Sequence, residues 1–472
     1  MQKEAVIRRA GNLLQVLPAN LDILGPRLTY ARRVQVGGDP RNILYVQVLC
    51  YKEHDGGLVA SAGFLPRIAK TLRADGVEVK FEDLREKRLP EPDYSRLDKL
   101  WEGQDDMISA IVANDCGIVE SPTASGKGFV IRQLCKLWPQ AKIIICSYTI
   151  DIVRQLYTDL SEMFPIHEIG MVGGGMHDAR RRITCVVDKS LERCNLDGCD
   201  LFIYDEVHRA GAEETKKLIG RVRNAKMVGF SASPKGRGDN TDMEVEALFG
   251  PVIYKQTYQT SQASGNIVPI RAYIFSTANC PDRQYMSTTA LERNLIWKSY
   301  ERNSIIASAV DWVIKELGGD PQILITVKTV THAVYLGKLL PSFELVYAQM
   351  SAEDRDEWAR KGLIGAFKHP LTSERRRLLY DEFRAGKLRR AIATSIWSTG
   401  VDFKGLNVLV RADAQASTIA NIQLPGRVSR TSDGKDVGIL IDFNDVFNQT
   451  LAGRAQKRMA IYRKKGWELT NR

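Results

Sequence analysis

Ser121-Pro-Thr-Ala-Ser-Gly126-Lys127-Gly128 has the residue types that hold phosphate. Small residues let backbone N–H groups face an anion, and a following helix adds positive potential at its N-terminus. The run Gly117–Glu120 reads as a strand and Phe129–Trp138 as a helix, the context such a loop needs. Lys127 would reach the β- and γ-phosphates of a nucleotide, with Thr123, Ala124, Ser125, Gly126 and Gly128 around it. Two positions depart from the GxxxxGK[ST] pattern. Ser121 replaces the first glycine, and Gly128 replaces the Ser/Thr whose hydroxyl holds Mg²⁺. A water, Ser125 or Thr123 would have to substitute for that hydroxyl.

Asp205-Glu206-Val207-His208 ends the apolar run Leu201–Tyr204. A strand that delivers two adjacent acids to the C-terminal edge of a parallel sheet suits metal and water chemistry. Asp205 would hold Mg²⁺ through its water shell, and Glu206 would polarise an attacking water. An acidic pair after a strand is usually structural; about 80 residues beyond a phosphate loop it reads as functional. Ser231-Ala232-Ser233, after another apolar run, would bond those carboxylates and sense a γ-phosphate. Gln423-Leu-Pro-Gly426-Arg427-Val-Ser-Arg430 places two arginines on one helical face. Aimed at a γ-phosphate they would act as arginine fingers; otherwise they are a solvated basic face. In Thr394-Ser-Ile-Trp-Ser398-Thr399-Gly400-Val-Asp402, hydroxyls and a glycine after a strand suit phosphate contacts.

Elements in three regions must position these residues. Residues 1–95 contain Ile43–Tyr51, the turn Asp55-Gly56-Gly57 and Leu58–Ser61, which read as a hairpin. Leu65, Ile68 and Leu72 then fall at helical spacing before Gly76, and Val77–Asp83 alternates as a strand. This is a small α+β domain, and the polar, proline-containing residues 84–95 are its linker. Residues 96–260 alternate apolar strands with helices, and residues 261–450 repeat the alternation, so two parallel α/β lobes in tandem are expected. The stretch Arg360–Thr372 reads as an insertion in the second lobe.

The phosphate loop, DEVH, SAS, STGVD and QxxGRxxR boxes occur in the order seen in superfamily 2 helicases, over roughly residues 100–445. The glycine run Gly173–Gly175 and the box STGVDFKGLN look most like phage UvsW-type helicases, a group related to XPB-type and RecG-type double-strand translocases. The resemblance implies two RecA-like lobes with ATP and Mg²⁺ bound between them. Gln104 resembles the glutamine that reads adenine; His208, Gly400, Asp402 and Gln423 fall in nucleotide-contacting boxes. Ser147, Thr149, Gly173, Gly174, Lys328, Thr394, Ser398 and Thr399 fall in segments that touch nucleic acid. The N-terminal domain resembles the duplex-binding accessory domain of the phage enzymes. The implied activity is ATP-dependent remodelling of branched DNA in replication, recombination and repair, on duplex, forked or four-way DNA without regard to sequence. An RNA helicase, or the motor subunit of a restriction system, is the alternative among enzymes. A nucleic-acid-binding architectural protein with a degenerate ATPase, suggested by Gly128, is the alternative outside them.

Composition and charge agree with this frame. The 472 residues are 44% hydrophobic and 26% charged, which excludes a disordered or collagen-like chain. Lys and Arg number 67 against 56 Asp and Glu, a net charge of +11. Leu451–Arg472 holds seven basic residues and one acid, so more than half of the excess sits there. Phe447, Leu451, Ala455, Met459 and Tyr462 mark one apolar helical face in this segment. Arg454, Lys457, Arg458, Lys464 and Lys465 are expected on the other faces, turned toward DNA phosphates. Cys185, Cys194 and Cys199, with His177 or His208 nearby, give a weak zinc signal, and free thiols are the preferred reading. Without an apolar leader or a membrane-length apolar run, the chain reads as cytoplasmic, in the host cytoplasm if phage-encoded, with no membrane or obligate protein partner.

Overall fold

The computed structural model describes residues 4–35, 43–85, 89–123, 125–234, 241–282, 287–347, 350–364, 371–397, 403, 405–416 and 422–472. The fold is α/β, with two RecA-like parallel-sheet lobes and a small N-terminal α+β layer. The chain divides into two compact units. One spans Met1–Pro122 and Gly126–Gln256; the other spans Thr257–Arg472 with Thr123–Ser125.

In the first unit the N-terminal sheet runs, in spatial order, Tyr51–His54, Gly57–Ser61, Leu13–Leu17, Glu4–Ala10 and Glu78–Asp83. The helix Leu65–Ala74 buries Ile68 and Leu72, as their spacing predicts. The expected hairpin is split. Ile43–Leu49 pairs with Thr29–Gln35 as a separate ribbon, and only Tyr51–His54 folds back on Gly57–Ser61. Cys50 lies between the two strands, and its N–H donates to Leu28 O at 2.8 Å, next to the Thr29–Leu49 pair that ends the ribbon. Ion pairs fasten this layer to the adjoining sheet: Arg9 meets Asp115 at 3.2 Å, and Arg67 grips Glu246 with two nitrogens at 2.8 and 2.6 Å.

Among the described residues the adjoining sheet has eight strands. Their order is Met176–His177, Ile169–Gly173, Ile183–Val187, Ile143–Ser147, Leu201–Asp205, Lys226–Ser231, Cys116–Glu120 and Val252–Lys255. Every pairing is parallel except that of the two-residue edge strand. Alternate side chains enter two core layers. Ile143, Ile145, Ile203 and Phe230 face one; Ile144, Phe202, Tyr204 and Met227 face the other. Cys185 belongs to the first layer, Cys194 and Cys199 to the second, so these three thiols do not converge.

Among the described residues the second unit holds a seven-stranded, fully parallel sheet. Its order is Glu344–Val346, Arg390–Ala393, Ile323–Thr326, Val408–Arg411, Gly438–Asn444, Ile270–Ser276 and Glu468–Asn471. The alternation expected for residues 261–450 is present, and Glu468–Asn471 adds a strand from beyond that range. The basic segment is therefore not an appended tail. Its helix, Gln449–Lys464, buries Leu451, Ala455, Met459 and Tyr462, and its last strand completes the sheet.

The expected basic outer face needs correction. Arg458 is fully buried, with Nε and Nη2 on the Asp442 carboxylate at 2.8 and 3.0 Å, so it cannot contact DNA phosphates. Arg454 pairs with Glu292 at 2.7 Å. Lys457 and Lys464 do face solvent. The 3.6-residue period puts position 458 beside Ala455, Met459 and Tyr462, so a cation there must be paired to be tolerated. Among the described residues no helix is long and apolar enough to cross a membrane. Residues 365–370, within the expected insertion, lie outside the described ones. Replacing Arg458 with Ala leaves Asp442 buried without its main partner and should cost about 3–5 kcal/mol. Lys457→Ala should change stability by less than about 0.5 kcal/mol, with urea unfolding as the measurement.

Candidate nucleotide site

The parallel register brings the chemistry of the first unit to one sheet edge. Ser231 is opposite Glu120 and Asp205 opposite Phe230, so the phosphate loop, the acidic pair and the SAS turn leave neighbouring strand ends. Ser121 N donates to Ser231 O at 3.1 Å, and Ser121 Oγ donates to Gln256 Oε1 at 2.9 Å. The loop closes on Gly126, whose φ of +84° starts the helix Lys127–Leu137. A Cβ there would lie 2.5 Å from Gln104 Nε2, so glycine is required on both counts. The Lys127 ammonium donates to the carbonyls of Ser121 and Pro122 at 3.0 and 2.9 Å, which holds it over the loop. Thr123 is half-buried and Ser125 buried; Ala124 lies outside the described residues.

Glu206 has φ +61°, in the left-handed region that a non-glycine residue adopts at a cost of about 1–3 kcal/mol. That turn separates the two acids, and the Glu206 N–H donates to Asp205 Oδ1 at 3.1 Å. The His208 Nδ1 lies 3.4 Å from Glu206 Oε2 and 3.1 Å from Ser231 Oγ, and Ser233 N donates to the same hydroxyl at 3.1 Å. The expected link between SAS and the acidic pair thus runs through His208. Burial pushes the Asp205 carboxyl up, and the adjacent Glu206 charge adds to this; the Lys127 ammonium and the Glu206 N–H oppose it. A carboxylate so placed gains from a further cation.

The residues fit a nucleotide carrying Mg²⁺. Among the described residues no group of three or more His, Cys, Asp or Glu could hold a metal ion by itself, and Asp205 is the carboxylate that would face one brought in by a nucleotide. Gln104 is buried. Its Oε1 accepts from Trp101 N at 2.9 Å, while its Nε2 has no hydrogen-bond partner among the described residues, an unmet donor suited to a base. Sequence reasoning missed the aromatic pair beside it. Trp101 and Phe129 stack at 6.1 Å with planes 5° apart, and Trp101 is 52% exposed. Their position, three residues before Gln104 and two after Lys127, was the available signal.

The segments assigned to nucleic acid divide. Ser147 does not belong with them: it is fully buried, and its hydroxyl donates to Asp205 O at 3.3 Å, so it supports the acidic strand end. Thr149 caps the helix Ile150–Ser161. Gly173 and Gly174 pack nearby, since a Cβ at Gly174 would meet Ile150 at 2.8 Å and Arg154 Nη2 at 3.0 Å. Arg154, not singled out from sequence, is an exposed cation at this spot.

In the second unit Lys328 and Arg454 share Glu292, each at 2.7 Å. Burial pushes the Glu292 carboxyl up, but these two cations outweigh it and hold it below the usual range. Thr394 ends the strand Arg390–Ala393 and is buried. Gln423 and Arg427 are buried too, and burial pushes the Arg430 guanidinium down to about 10. Ser398, Thr399, Gly400 and Asp402 lie outside the described residues.

Comparison with known proteins adds relatives. Residues 97–236 match the family described as type III restriction enzyme, res subunit, and residues 308–432 match the helicase conserved C-terminal domain. The chain is 24% identical over 363 residues to putative helicase 22 of Sulfolobus islandicus filamentous virus, across 71% of this chain and 61% of that protein. It is 21% identical over 375 residues to the DNA 3'-5' translocase XPB2 of Sulfurisphaera tokodaii, across 75% of this chain and 84% of that one. The fold is shared with S. cerevisiae Dbp5 bound to RNA and ADP BeF3, with a TM-score of 0.55 at 16% identity over 80% of this chain and 91% of that one.

Gly128 bears on the metal. Among the described residues, its own chain neighbours and helix backbone aside, no atom lies within 4 Å of where its Cβ would be, so these residues leave room for a side chain there. Gly128→Thr should fold normally and lower the Mg²⁺ concentration needed for half-maximal turnover severalfold. An unchanged Mg²⁺ titration would mean another oxygen already fills that role.

Proposed function

We propose that this chain, which carries the paired domains of a superfamily 2 helicase, is an ATP-driven DNA motor of the UvsW type that remodels branched DNA. The observation that carries this reading is the cluster at one sheet edge: Lys127 over its loop, Asp205 and Glu206 on a strained turn, and His208 bonded to Ser231. Lys127 neutralises the β- and γ-phosphates. Asp205 would hold the Mg²⁺ that accompanies ATP, and that ion would supply charge neutralisation at the phosphates. Glu206 polarises the attacking water, and His208 links its position to the SAS turn. Gln104 and Trp101 hold the base by hydrogen bonding and stacking. Arg427 and Arg430 stabilise the charge that develops on the γ-phosphate. An architectural protein with a dead ATPase has no need of this whole set.

DNA is favoured as the track because a relative matched over 75% of this chain is named a DNA translocase. A motor that steps must grip phosphates and release every base, so binding should be independent of sequence and sensitive to salt. Arg154 and the Gly173–Gly174 turn are the candidate contacts on the first unit.

The test is ATP hydrolysis measured without nucleic acid, and with single-stranded DNA, forked DNA, four-way DNA or RNA. The forked and four-way substrates should stimulate most. Stimulation by RNA alone would overturn the DNA assignment, and no hydrolysis under any condition would favour the architectural reading. Glu206→Gln should lower turnover by about 10²–10⁴-fold while leaving DNA binding intact.

A further inference from the structure

Arg427 and Arg430 can act only if their loop holds its shape. That loop is short. Pro425–Arg427 forms a single tight turn, and Ser429 Oγ donates back to Gly426 O at 2.7 Å. Among the described residues, two distant parts of the chain pack against it.

The first part is the segment Thr257–Val268. Its helix, Tyr258–Ala263, starts at a reciprocal cap: Thr260 N donates to Thr257 Oγ1 at 3.1 Å and Thr257 N to Thr260 Oγ1 at 3.0 Å. The cap fixes where Tyr258 points. Tyr258 is buried, and its hydroxyl sits where any side chain on Gly426 would have to go. Farther along, Val268 N donates to Ser429 O at 2.8 Å, and Ile267 bridges to Arg430.

The second part is the turn between the last helix and the last strand. Trp467 is buried there, with its ring edge-on to Tyr258 at 5.5 Å and stacked on Tyr462 at 5.2 Å. Gln259 Nε2 donates to Lys465 O at 3.3 Å. Gly466, at φ +76°, leaves room for that amide, and a Cβ would strike it. Tyr462 in turn is anchored, since its hydroxyl donates to Asp442 Oδ2 at 2.7 Å and accepts from Arg411 Nη1 at 3.2 Å. An unbroken series of contacts therefore runs from the buried ion pairs of the sheet, through Tyr462, Trp467 and Tyr258, to Gly426.

We infer that Trp467 and Tyr258 are positioning residues for ATP hydrolysis, an aromatic brace that holds the Gly426–Arg430 loop where its arginines act. This rests on the reading of those arginines as γ-phosphate contacts. A brace of this kind changes turnover rather than nucleotide affinity, because the arginines are needed when charge develops and not for ground-state binding.

The experiment measures kcat and KM for DNA-stimulated ATP hydrolysis, the affinity for a fluorescent ATP analogue, and thermal melting. Trp467→Ala and Tyr258→Ala should each lower kcat about ten- to a hundredfold, as small misplacements of catalytic groups do. KM and analogue affinity should stay near the parent values. The double variant should lose no more than the worse single one, and Trp467→Phe should recover most of the rate. A loss in KM alone, additive losses, or a Phe variant no better than Ala would overturn the brace. Should Trp467→Ala fail to fold, Gln259→Ala at its exposed position gives a second reading: a severalfold lower kcat with unchanged melting supports the brace, and an unchanged kcat overturns it. Arg427→Ala separates the two levels. If it leaves kcat intact, the arginine assignment itself fails. If it abolishes turnover while the aromatic variants retain parent kcat, only the brace fails.

Discussion

Three neighbouring strand ends meet at Ser231. Its carbonyl receives the first N–H of the phosphate loop, and its hydroxyl is shared by His208 and the Ser233 backbone. Parallel pairing places all three connections on the same edge, which is why a loop, an acidic pair and a small polar turn far apart in sequence become one site. The strained backbone of Glu206 is tolerable only because the flanking strand and the helix-like turn Val207–Arg209 over-determine it. Small residues flank this junction because there is no space for larger ones. A Cβ on Gly229 would meet Val207 at 2.6 Å, directly beneath the acidic turn.

The lobes and the cluster around Lys127 were legible because they rest on local patterns. Apolar strands between helices declare a parallel sheet, and the loop, DEVH and SAS each follow such a strand. Short or polar-ended strands were not legible. Ile169–Gly173 runs into three glycines, and Val252–Lys255 is only four residues long. Ile43–Tyr51 looks like one strand because no local pattern announces that Ile43–Leu49 and Tyr51–His54 take different partners on either side of Cys50. The Arg458 error has a similar cause. Helical periodicity gave the buried stripe from Leu451 to Tyr462, although Phe447 precedes the helix, and an arginine at the border of the stripe can be drawn inward when a buried carboxylate waits there. Asp442 sits on a strand that otherwise reads as plain core. Ser147 misled in the opposite direction, since a hydroxyl at a strand end looks available when the sheet beside it has already used it.

Buried pairing leaves the net charge of +11 unchanged but lowers the number of basic side chains that reach solvent. Arg302 on Asp445, Arg411 on Asp413 and Arg458 on Asp442 are cations matched inside the protein. Each adds one to the formal count of bases and one to that of acids, yet projects little field into solvent. Long-range attraction for a polyanion must come from the exposed residues that remain, such as Lys457, Arg463 and Lys464. The segment richest in basic residues is thus partly the mortar of the second sheet.

The order of that sheet has a consequence for how the chain is made. Ile270–Ser276 lies between two partners, Gly438–Asn444 and Glu468–Asn471, and both come late in the sequence. About 160 residues separate Ser276 from Gly438. At ribosomal speeds of about 5–20 residues per second, this strand emerges and waits roughly ten to thirty seconds for its first neighbour. During that interval an apolar strand with two open edges is exposed, the kind of template that pairs wrongly with other chains. The second unit is therefore where slow folding and aggregation during synthesis should concentrate. Chaperone demand would follow from strand order alone, independent of how stable the finished protein is.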